Sequence, residues 1–141
     1  MSIAAALGYR WDGRRSRLFF QTRRGSYKGE SLIAFLKDLR RELHGRKAVL
    51  VWDQLPAHKS RKMKKYLGQQ RHWLTVEKLP GYAPDLNPTE MLWGNLKGKE
   101  LANRCAYDLA EVGTAVRSGM ARVRRSAELP FSFLKHAGLS F

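Results

Sequence analysis

Two short apolar runs, KAVLVWD at residues 47–53 and WLTVEK at residues 73–78, constrain this chain more than any other feature. Both are rich in residues that favour strands. Between them lie the polar loop QLPAHKS and a basic stretch at residues 60–70, SRKMKKYLGQQ, that reads as a short helix. Strand, helix, strand over so few residues is a crossover unit, which demands a parallel pair with a helix packed beside it. The first run has the continuous apolar character of a strand buried on both faces, and it ends on Asp53. In open α/β sheets, ligands gather at such carboxyl ends.

The remaining segments fit around this unit. Residues 2–11 and 16–23 read as strands, and the Asp-Gly signal in DGRR joins them as a hairpin, making Asp12 a turn residue. Leu32, Phe35, Leu36, Leu39 and Leu43 fall at helical spacing over residues 29–44, with Gly45 as the stop. Helices are expected over residues 88–103 and 108–125, and a last short one from Pro130 to His136. This order indicates an α/β fold: a mixed sheet flanked by helices, in a single domain over residues 1–141.

Charge identifies the partner class. Lys and Arg number 27 against 12 Asp and Glu, a net charge of +15. No apolar run approaches the 18 residues of a membrane span, so the expected polyanion is nucleic acid and no membrane is involved. One Cys, Cys105, excludes an intrachain disulfide framework and fits a reducing, cytoplasmic compartment. The four His lack the spacing of a structural zinc site.

The stretch LPGYAPDLNPTEMLWGNLKGK at residues 79–99 supplies a second carboxylate, Glu90. One reading is helix capping, with Asn87 as N-cap, Pro88 at the first helical position and Glu90 in the first turn. The other is metal binding. A crossover unit of this length brings Asp53 and Glu90 to one edge of a sheet. Two carboxylates in a protein expected to bind phosphates suit Mg²⁺, which completes its octahedron with water and phosphate oxygens.

VLVWDQLPAHKS followed by LPGYAPDLNPTEMLWGNLK resembles the catalytic domain of mariner-like transposases of bacterial insertion sequences, of the DDE superfamily. The resemblance implies a ribonuclease H-like fold, an Asp–Asp–Glu triad, two Mg²⁺ or Mn²⁺ ions, and DNA partners at transposon ends and target. Asp53 matches the second triad Asp and Glu90 the terminal Glu, as catalytic residues and metal ligands. His58, Pro84, Asn87, Pro88, Trp93 and Lys97 also fall on motif positions, His58, Asn87 and Lys97 as supporting residues. Gln54 departs from the family's usual Asn. The implied setting is a bacterial cytoplasm, associated with the nucleoid.

The first triad Asp of the family lies on a central strand upstream of the hairpin, and Asp12, 41 positions before Asp53, is a poor substitute in its turn. The expectation is therefore an N-terminally truncated catalytic domain, completed by an upstream-encoded segment or by self-association. DNA contacts are expected from Lys59, Arg61, Lys62, Lys64 and Lys65, and from Arg122, Arg124 and Arg125, although each group can also serve as a solvated helix face or complement a helix dipole. Trp73 and Trp93 are expected in cores. An alternative function is a catalytically inactive remnant that binds DNA or full-length transposase. A purely architectural basic protein would leave both motifs unexplained.

Overall fold

The computed structural model describes residues 1–81, 84–102 and 108–139. These residues gather into two compact units, one from Ile3–Arg24 and the residues from Pro84 onward, the other from the residues between Gly25 and Pro84.

The first unit is built on a hairpin of β1 (Ser2–Tyr9) and β2 (Ser16–Arg23), with helices α3 (Pro88–Gly98), α4 (Leu109–Arg125) and α5 (Leu129–His136). The hairpin turn is fixed by its own side chains. Asp12 Oδ1 accepts from the Arg14 N–H at 3.0 Å, Asp12 pairs with Arg10 at 3.3 Å, and Gly13 takes a φ of 71°. Asp12 is thus a turn residue, as its setting indicated. The core of the unit joins Leu18 of β2 to Leu92 and Leu96 of α3, Val116, Met120 and Val123 of α4, and Phe133 of α5. Trp93 packs against this cluster, in keeping with its expected core role. The Tyr9 hydroxyl donates to the Pro130 carbonyl, and burial pushes its pKa up to about 12.

Helix α3 stops at Gly98, short of the residue 103 expected from the pattern; residue 103 lies outside the described residues. Gly94 and Gly98 both weaken its last turns. The chain then folds back, with the Leu101 N–H donating to the Leu96 carbonyl. Glu100 is thereby set against Arg122 of α4. The two helices pack so closely that a Cβ on Gly119 would lie 2.1 Å from Leu96 Cδ2.

The second unit contains α1 (Gly29–Glu42), β3 (Ala48–Trp52), a 3-10 turn (Pro56–Lys59), α2 (Arg61–Gln69) and β4 (Leu74–Lys78). Strands β3 and β4 run parallel, from Ala48 opposite Leu74 to Trp52 opposite Lys78. This is the crossover unit that the two apolar runs required. Phe35, Leu36 and Leu39 of α1, Met63 and Tyr66 of α2, and Trp73 and Leu74 are buried.

Among the described residues the four strands form two two-stranded sheets, the hairpin and the β3–β4 pair. This corrects the expectation that β3 is buried on both faces. Val49 and Val51 are 65% and 52% exposed while Ala48, Leu50 and Trp52 are partly buried, so the strand alternates. Its β-branched residues reflect strand propensity, which does not by itself require two covered faces. No helix among the described residues is long and apolar enough to cross a membrane.

Candidate functional site

Asp53 follows directly on β3, and the parallel register fixes where it stands. Beyond Trp52 and Lys78 the ladder continues with the Leu79 N–H donating to the Trp52 carbonyl at 2.8 Å. The Gln54 amide donates to the Leu79 carbonyl at 2.9 Å, tying the two strand exits together. Gln54, the residue that departs from the family pattern, therefore braces the carboxyl edge of the sheet on which Asp53 sits.

The QLPAHKS loop then returns a histidine to the aspartate. His58 Nδ1 lies 2.9 Å from Asp53 Oδ1 and 3.0 Å from the Asp53 carbonyl oxygen. Both neighbours are acceptors, so Nδ1 carries the hydrogen and Nε2 is left for another partner. The imidazole stacks flat on Trp52, with centroids 4.0 Å apart and planes within 4°. Asp53 Oδ1 also accepts from the Leu55 N–H at 3.1 Å. Two of these contacts, from His58 Nδ1 and the Leu55 N–H, converge on Oδ1 and orient the carboxylate. The Asp53 side chain is 40% exposed, open to solvent and to a ligand.

Glu90 belongs to the other unit. Asn87 caps α3, its Oδ1 accepting from the Thr89 N–H at 3.1 Å and from the Thr89 hydroxyl at 2.6 Å, and Pro88 occupies the first helical turn. Glu90 sits in that first turn with an exposed side chain, where the helix dipole favours a carboxylate. The capping and metal readings are thus compatible: the cap fixes the helix start that presents the acid. Lys97 is exposed two turns along α3.

Among the described residues no group of three or more His, Cys, Asp and Glu gathers to form a metal cage. The donors present suit an ion that keeps water and phosphate oxygens and takes one or two carboxylates, which is the habit of Mg²⁺.

The basic residues divide into two kinds. On α2, Met63 and Tyr66 are buried while Arg61, Lys62, Lys64 and Lys65 are exposed, as is Lys59 at the end of the preceding turn. Lys62 pairs with Glu30 of α1 across the surface. On α4 the guanidinium of Arg122 is committed to Glu100 and Asn95, and Arg124 donates to the Leu18 carbonyl at 3.0 Å and lies over the Phe20 ring. Both therefore have partners within the fold that the RVRR pattern could not reveal. Arg125 is exposed. Sequence reasoning also missed Trp52 as the stacking platform for His58; its place one residue before Asp53 was the available signal.

The chain is similar to one protein family and to several solved structures. A family described as DDE superfamily endonuclease matches residues 12–112. No curated protein matches the chain. Among solved structures, the Mos1 mariner paired-end complex with Mn aligns at a TM-score of 0.64 and 16% identity, covering 89% of this chain and 37% of that one. The Mos1 strand transfer complex aligns at 0.61 and 19%, covering 93% and 42%. The Mos1 transposase catalytic domain with Raltegravir and Mn aligns at 0.60 and 14%, covering 99% and 84%. The chain thus spans about two-fifths of the longer Mos1 chains, and at these identities the likeness establishes the fold, an α/β ribonuclease H-like one. With the family model spanning most of the sequence, the crossover unit and the proline loop together, the chain belongs to the DDE superfamily endonucleases.

Proposed function

We propose that this chain is the part of a mariner-like transposase that supplies two of its metal-binding carboxylates, Asp53 and Glu90, for DNA strand cleavage and strand transfer. The observation that carries the reading is Asp53 at the carboxyl end of β3, its Oδ1 held by His58 and the Leu55 N–H. Water attacks the phosphodiester at the transposon end, the bond from phosphorus to the 3′ oxygen breaks, and a 3′-hydroxyl is released. That hydroxyl then attacks a phosphodiester of target DNA, displacing its 3′ oxygen. Asp53 and Glu90 would hold Mg²⁺ or Mn²⁺, two ions in this reading, which when bound would supply Lewis-acid polarisation of the phosphate and offset the charge of the attacking and leaving oxygens. The protein's share is to fix the Asp53 carboxylate through His58, present Glu90 from the capped start of α3, and hold DNA phosphates on Lys59, Arg61, Lys64 and Lys65. The setting we propose is a bacterial cytoplasm, at the nucleoid.

A third carboxylate comes from an adjoining upstream-encoded segment or from a second chain. The test is co-expression with the upstream segment and a nicking assay on terminal-repeat DNA with and without Mg²⁺. Nicking that EDTA abolishes supports the proposal. DNA binding without metal-dependent nicking, even after complementation, indicates instead a regulatory remnant that binds DNA or full-length transposase.

A further inference from the structure

The end of the β3–β4 unit opposite Asp53 carries its own concentration of positive charge. Lys37, Arg40, Arg41 and His44 recur at intervals of three and four along α1 and its C-terminal cap, so they share one face. The buried Phe35, Leu36 and Leu39 hold the helix to its unit. His44 at φ 55° and Gly45 at φ 73° turn the chain, and Arg46 and Lys47 lead it into β3. The Ala48 N–H donates to the Trp73 carbonyl at 2.8 Å, which brings the turn before β3 and the turn before β4 to the same end. That second turn adds Arg71 and His72.

A cleft of about 560 Å³ opens here, lined by Lys37, Arg40, Arg41 and His44 on one side and by Tyr66 and Gln70 of the α2 end on the other. Arg40 is fixed in it. Its Nη2 donates to His72 Nε2 at 3.2 Å, and its guanidinium lies 5.3 Å from the centre of the Trp73 ring. The Trp73 indole in turn donates to Gln70 at 2.7 Å. Arg41 pairs with Asp38 yet is 79% exposed. Over residues 37–47 and 70–73, six Lys and Arg meet two acids, Asp38 and Glu42. A helix dipole accounts for cations in the last turn of α1, but not for Arg46, Lys47 and Arg71, which lie beyond it.

We propose that this cleft and its basic rim bind the sugar-phosphate backbone of duplex DNA, at a place separate from the carboxylate edge. The face from Lys37 to His44 extends about 10 Å, the rise of some three phosphates on one strand. Strand β3 separates it from Asp53 by roughly 15 Å. The DNA held here is therefore a stretch other than the scissile one: flanking DNA or a second duplex. The choice of DNA as the polyanion rests on the proposed function; the existence of the cationic surface does not.

The test is metal-free duplex binding by the 141-residue chain, followed by fluorescence anisotropy over a range of salt. The variant Lys37→Ala/Arg41→Ala/Arg46→Ala/Lys47→Ala removes exposed rim charges and spares Arg40, which stacks on Trp73. Its affinity should fall at least tenfold, and the slope of log K against log salt should drop by about 3. A variant with Lys and Arg exchanged at these positions should retain binding, which separates lost charge from lost folding. Unchanged affinity and slope in the alanine variant overturn the proposal. So does a chain whose cleft takes inorganic phosphate while duplex binding ignores the rim, or a chain that binds no duplex. Because no cleavage is read, failure here leaves the carboxylate chemistry standing, and absence of cleavage leaves this surface standing.

Discussion

His58 Nδ1 faces two oxygens of one residue, Asp53 Oδ1 at 2.9 Å and the Asp53 carbonyl at 3.0 Å, and its ring lies flat against Trp52. A histidine tied to both side chain and backbone of an aspartate fixes that carboxylate without occupying both its oxygens. Groups that orient a ligating carboxylate in this way typically govern metal affinity. His58→Ala should lower Mn²⁺ affinity and metal-dependent nicking about 10- to 100-fold, with the fold retained. Titration of Mn²⁺ into wild type and variant, with circular dichroism as the folding control, checks this; equal affinities would reduce His58 to a loop anchor.

Arg122 offers a contrast, because its guanidinium is spent inside the fold. It binds both oxygens of Glu100 and also reaches Asn95, joining the end of α3 to α4. Arg122→Ala should cost about 1–3 kcal/mol in urea unfolding, more than a surface charge is worth, since it strands a largely buried acid. The bond to Arg122 holds the Glu100 pKa below the usual glutamate value. A depressed pKa contributes stability above the unfolded value, and that contribution is lost as pH falls through the folded one. The gap between wild type and Arg122→Ala should therefore be full at pH 7 and narrow below the ordinary glutamate range.

Gly119 marks where α4 meets α3. A Cβ there would collide with Leu96, which is 1% exposed, and press on Glu100, which Arg122 holds. Gly119→Ala should therefore destabilise by about 1–3 kcal/mol, despite the roughly 1 kcal/mol by which alanine favours a helix. A rise in melting temperature would contradict the close approach.

Asn87→Ala removes the cap that starts α3. The expected cost is about 1 kcal/mol in thermal unfolding, and Asn87→Asp should restore most of it. Cleavage should fall further than stability does, because Glu90 lies in the turn that the cap defines.

Much of this was legible from pattern. The two apolar runs gave β3 and β4 and their parallel pairing, and DGRR gave the hairpin with Asp12 in its turn. Asn87 and Pro88 marked the α3 start to the residue. What pattern could not show was partnership. Arg122 and Arg124 look like an unencumbered basic run, yet one meets Glu100 because α3 breaks at Gly98 and folds back, and the other meets the Leu18 carbonyl. The rim around Arg40 was hidden for the opposite reason: its charges come from α1, from the turn before β3 and from the turn before β4, brought together by the Ala48–Trp73 bond and the Arg40 contacts to His72 and Trp73. Composition also overstated the burial of β3, since valines favour a strand whether or not both faces are covered.

In the proposed function, Asp53 and Glu90 hold the divalent metal used to cut DNA. The most direct measurement is nicking of terminal-repeat DNA by the complemented protein in Mg²⁺, comparing wild type with Asp53→Asn and Glu90→Gln. Each substitution keeps size and removes charge. Both should reduce nicking by at least a hundredfold while metal-free DNA binding stays within a few-fold of wild type. Wild-type nicking by either variant would contradict it.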